Sequence, residues 1–69
     1  MKVTNKTVRN DVITYTLVDG ITPVGWISYY LKRSCWRAQG IDGLLINDQS
    51  MRREMYKAVR QFDAALFLP

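Results

Sequence analysis

Between Asp11 and Val18, Ile13, Tyr15 and Leu17 alternate with Val12, Thr14, Thr16 and Val18. A period of two in β-branched and aromatic residues predicts a strand. Lys2 to Val8 is more polar but carries Val and Thr, and Arg9-Asn10-Asp11 supplies turn chemistry between the two stretches. An N-terminal hairpin is expected, with the polar first strand suited to a sheet edge.

Beyond Asp19-Gly20 the pattern changes. Thr22-Pro23 reads as an N-cap followed by proline at the first helical position, and Gly40 as a C-terminal stop. A helix from Pro23 to Gln39 is therefore expected. At about 100° per residue it places Val24, Ile27, Leu31, Cys35 and Ala38 on one face. Trp26, Tyr29, Arg33, Trp36 and Arg37 fall on the other. Asp-Gly also favours a tight hairpin turn that would carry the chain onward as a strand. Pro23 and Gly25 speak against a long strand there.

Ile41 to Asn47 contains Leu44-Leu45-Ile46, an apolar run short enough for a third strand. Asp48 or Ser50 can cap a second helix. Its core stripe is Met51, Met55, Ala58, Val59, Phe62, Ala65 and Leu66, with Arg53, Lys57 and Arg60 on the far side. The expected fold is a single α+β domain in the order ββαβα. It has a small antiparallel sheet with two helices packed on one face.

Length sharpens this picture. A chain of 69 residues has a thin core, because a domain of this size buries only about 60% of its unfolded surface. The net charge is +4, from ten Lys and Arg against six Asp and Glu, which attracts nucleic acid, anionic lipid or acidic protein alike. The one cysteine, Cys35, excludes an intramolecular disulfide and on the aliphatic helix face reads as a buried, inert thiol. No apolar run follows Met1, and the longest run, Ala64-Ala65-Leu66-Phe67-Leu68, is far short of the ~20 residues of a bilayer span. The cytoplasm is the expected address, without a membrane association.

The candidate chemistry is that of binding. The chain has no histidine, which removes the commonest general base and metal ligand. The four glycines match no phosphate-binding loop. No enzyme, cofactor or metal is expected. Trp, Tyr and Arg are the residues most enriched at binding hot spots, so Trp26, Tyr29, Arg33, Trp36 and Arg37 are the candidate partner-binding face. Arg53, Lys57 and Arg60 form a secondary basic patch.

The first functional expectation is a small non-catalytic regulator or inhibitor, of the accessory type carried by phage and mobile elements, that occupies a partner protein's surface. The second is a nucleic-acid-binding protein using the same face, single strands favoured. A homodimer through that face or through the apolar tail is the third. The plainer alternative makes both tryptophans core residues of a very small domain.

Overall fold

The computed structural model describes residues 1–64. Four strands come first: β1 (Lys2–Arg9), β2 (Val12–Asp19), β3 (Thr22–Tyr30) and β4 (Cys35–Gly40). One helix, α1 (Gln49–Phe62), follows. The strands pair antiparallel in chain order, so the sheet is a simple meander with β1 and β4 at its edges. The fold is α+β in the order ββββα.

The N-terminal hairpin forms on the predicted alternation. Ile13, Tyr15 and Leu17 are buried, while Val12, Thr14, Thr16 and Val18 are half-exposed on the other face. Ile27 and Ala38 continue the buried row that Tyr15 begins, through the registers Tyr15↔Ile27 and Ile27↔Ala38. Met55, Ala58 and Val59 of α1 close over these residues, and Met55 and Val59 have no exposed surface. Asp48 caps α1, its Oδ1 accepting from the Ser50 N–H at 2.9 Å and the Met51 N–H at 3.4 Å. Of the predicted helical stripe, Met51 and Phe62 stay partly exposed, and Ala65 and Leu66 lie outside the described residues.

The expected helix from Pro23 to Gln39 is replaced by β3, a turn and β4. Two local facts decide this. Trp26, Ser28 and Tyr30 alternate with Gly25, Ile27 and Tyr29, which is a strand pattern in strand-favouring residues. Gly20-Ile21 makes the tight turn between the paired Asp19 and Thr22, with Gly20 at φ 65°, and sends the chain back along β2 rather than into a helix. The β3–β4 turn at residues 31–34 contains no glycine or asparagine; Ser34 itself takes the left-handed conformation, at φ 51°. The expected third strand at 41–47 reduces to one isolated bridge, Gln39↔Leu45. Its backbone nevertheless ties down the β4 edge, with Gly40 N–H donating to Leu44 C=O and Ile46 N–H to Ala38 C=O.

Two further features hold the layers together. At Gly25, β3 lies against the β4 backbone with no room for a side chain. A Cβ there would stand 2.0 Å from the Gln39 carbonyl oxygen, and its φ is 152°. At the other end of α1, the Asp63 carboxylate accepts from the Tyr15 hydroxyl at 2.9 Å and pairs with the Lys6 ammonium. Phe62 meets the Tyr15 ring edge-on at 6.3 Å.

Gly25→Ala should lower stability by at least about 3 kcal/mol, combining a backbone clash with a conformation L residues avoid. Gly43→Ala, also at positive φ but in open space, should cost only about 1 kcal/mol. Urea unfolding of the two variants measures the difference, and equal losses would contradict the close approach.

The Asp63 group gives a pH dependence. Hydrogen bonds from Lys6 and Tyr15 hold its carboxyl below the usual carboxylate range. Burial first, then the Asp63 carboxylate, push the Tyr15 hydroxyl far above the ordinary phenol range. A lowered acid stabilises the fold above its unfolded pKa of about 4 and loses that contribution as pH falls through the folded value. A raised phenol stabilises below about pH 10 and loses its contribution as pH climbs beyond. Stability should therefore fall at both extremes. Asp63→Asn should cost about 1 kcal/mol at neutral pH and flatten the acid limb of a melting-temperature profile.

Candidate functional site

α1 covers one face of the sheet, and among the described residues no element covers the other. The pleat sends alternate residues of each strand to that open face, and the registers align them in rows. One row runs Asn5, Thr16, Trp26, Gln39. The next is Thr7, Thr14, Ser28, Arg37, and the last is Arg9, Val12, Tyr30, Cys35.

The chemistry of these rows differs sharply from that of the buried side. Hydroxyl and amide side chains dominate, with Trp26 and Tyr30 as the two aromatic rings. Both stand on β3, four residues and so about 13 Å apart. Arg37 on β4 lays its guanidinium over the Tyr30 ring, 5.5 Å from the centroid. This cation–π contact restrains a long side chain while leaving its donors outward. Ser28, 6% exposed, is sunk between its larger row and column neighbours. Lys2 and Arg9 add positive charge from the β1 edge. No carboxylate occupies any open-face position of the four strands.

The five residues predicted to share a helix face are thus divided. Trp26 and Arg37 lie on the open face. Tyr29 and Trp36 lie on the side of α1, as a register pair with ring centroids 4.5 Å apart. Trp36 also meets Tyr56 of α1 edge-on at 5.9 Å, so it extends the core. Burial raises the Tyr56 hydroxyl pKa, with Arg52 nearby opposing the shift. Arg33 is exposed in the β3–β4 turn, at the end of the sheet where Tyr30 and Arg9 stand. Beside it Lys32 pairs with Asp11 at 3.1 Å. Arg53, Lys57 and Arg60 are exposed on α1, on the helix side of the molecule and away from the open sheet face.

Sequence reasoning missed Tyr30, Arg9 and the threonine rows. The alternation of Trp26, Ser28 and Tyr30 is the signal that would have found the first. Cys35, expected to be buried, is exposed, because it begins an edge strand on the open face instead of lying under a helix. Among the described residues, no three metal-ligating side chains gather as a site, and no helix is long and apolar enough to cross a membrane. Compared with family models, curated proteins and solved structures, the chain matches none.

Cys35 provides a direct check of this geometry. Its thiol should react with Ellman's reagent in the native protein, one equivalent per chain, at a rate within a few-fold of the urea-unfolded protein. A thiol that titrates only after denaturant is added would contradict the open face.

Proposed function

We propose that the protein binds nucleic acid, single strands in preference to duplex, on the open face of the sheet. The observation that carries this reading is a four-stranded surface that no other described element covers, with two aromatic rings, three cations and no carboxylate. Unstacked bases have free faces to stack on Trp26 and on the Arg37 guanidinium plane that lies over Tyr30, and every base has such a face. A duplex buries those faces, so half-buried rings on an open sheet face favour single strands. Arg37, Arg9 and Lys2 supply phosphate neutralisation, and Ser, Thr and Asn hydroxyls and amides are ordinary phosphate and sugar donors.

The partner-protein reading loses its original support, since the helix that was to present Trp26, Tyr29, Arg33, Trp36 and Arg37 together does not form. Charge and rings now favour the nucleic-acid reading over it. A binding role without catalysis remains part of the proposal.

Titration with random-sequence oligonucleotides, followed by tryptophan emission, tests it. Three cations predict a slope of log K against log salt of about −2 on single strands. Arg37→Ala should weaken binding and make that slope shallower by about 0.7. Trp26→Ala should weaken binding roughly 5- to 100-fold, the range of one lost base stack. Trp36→Phe, on the helix side, should leave affinity unchanged. Binding that ignores salt, or that is lost equally in the Trp36 variant, would remove the open face as the site.

A further inference from the structure

The two ends of the sheet are chemically unlike. The end formed by the β1–β2 and β3–β4 turns carries Arg9, Lys32 and Arg33. The opposite end gathers the β2–β3 turn, the 41–47 segment and the start of α1. There Ile21, Ile41, Leu44 and Leu45 expose 99%, 64%, 68% and 57% of their surface.

Between these elements runs an open groove of about 710 Å³. Its apolar walls are Pro23, Val24, Leu44, Leu45 and Met51, and its rim holds Asp19, Asp42 and Asp48. Among the described residues no lysine or arginine lines it, in a chain where cations outnumber carboxylates by ten to six. Half of the chain's acidic residues thus border one apolar groove. The Asp42 and Asp48 carboxylates are fixed in place, each accepting backbone amide hydrogens through Oδ1. Asp19 stands 3.8 Å from the Met1 amine and is otherwise open.

An apolar groove with an acidic rim is complementary to a segment that combines apolar side chains with lysine or arginine. A second copy docking the same patch in a two-fold dimer would set each aspartate cluster against its equivalent, which like charges oppose. We infer that this groove docks a basic, apolar segment of a partner protein. The inference is independent of the nucleic-acid reading, since the groove lies at the end of the sheet and uses none of Lys2, Arg9, Trp26, Tyr30 and Arg37. A protein with both surfaces would join a bound strand to a second protein.

The test uses the whole chain and a labelled 14-residue peptide of alternating leucine and lysine, beside the same peptide with glutamate for lysine. Fluorescence anisotropy gives affinity, and amide chemical shifts give location. The protein's net charge of +4 would by itself draw the glutamate peptide, so a preference for lysine reports the local rim. The lysine peptide should bind at least tenfold more tightly, shifting the amides of Ile41, Leu44, Leu45 and Met51. Leu44→Ser should weaken it at least fivefold, and Asp19→Asn about twofold to threefold. Both substitutions replace exposed side chains, and a circular dichroism melt confirms that the variants are folded. Equal binding of the two peptides, shifts confined to the open face, or indifference to Leu44→Ser would each overturn the inference. A concentration-dependent dimer abolished by Leu44→Ser would overturn it in favour of a second copy.

Discussion

Among the described residues, one helix of 14 residues is all that covers this sheet, and it can cover only one side. Met55 and Val59 fill the space above Tyr15, Leu17 and Ile27, and these five are the largest fully buried side chains. Every other placement follows from that single layer. The pleat must send the remaining half of the strand residues away from α1, and hydroxyl, amide and basic side chains dominate those positions. The tie between Asp63, Tyr15 and Lys6 fixes the last turn of the helix. Asp48 fixes the first by capping its free amides. With both ends held, the helix has one seating, and the sheet has one dry face and one wet one.

The close approach at Gly25 serves the same layer from the other side. Its missing side chain lets β3 meet the Gln39–Gly40 backbone where the 41–47 segment turns away. The Leu44 and Ile46 backbone bonds then return that segment to the outward groups of β4. One polar edge of the sheet is occupied by this return. The other, β1, carries Lys2, Lys6 and Arg9 along its length, a charge pattern that discourages pairing with another chain's strand.

The hairpin and the C-terminal helix were legible because each obeys one period over its whole length. The middle of the chain was not, because 23–39 satisfies two. Ile27, Leu31 and Ala38 are close to helical spacing, while Trp26, Ser28 and Tyr30 alternate. Pro23 suits a helix start as well as an irregular strand start, and here it sits beside the bulge at Leu17/Val18. The missing clue was the turn at 31–34, which lacks the glycine or asparagine that marks most tight turns. Ser34 takes the left-handed conformation there at a cost of order 1 kcal/mol or more. Strand pairing across the whole β3–β4 hairpin offsets that cost, and such non-local pairing is invisible to a local reading. The residue types of the site survived this error and their arrangement did not. Trp26 and Arg37 lie on the open face, whereas Trp36 packs on the helix side with Tyr29 and Tyr56.

Charge placement gives the architecture its direction. The open-face rows hold cations and no carboxylate, while Asp19, Asp42 and Asp48 stand around the apolar end. A small domain with a net charge of +4 could have mixed its signs evenly and been as soluble. Segregation instead leaves positive charge over the face that carries the half-buried Trp26 and Tyr30 rings, and a negative rim where aliphatic side chains meet water. The same three aspartates also serve the fold, as turn and cap residues at the ends of β2, β4 and the loop before α1. Turn chemistry alone would put carboxylates at either end of the sheet. Of the turns at the other end, only 9–11 contains one, Asp11, and Lys32 pairs with it. Fold chemistry therefore permits acidic residues at both ends, and the sequence leaves them unpaired by side-chain cations at one.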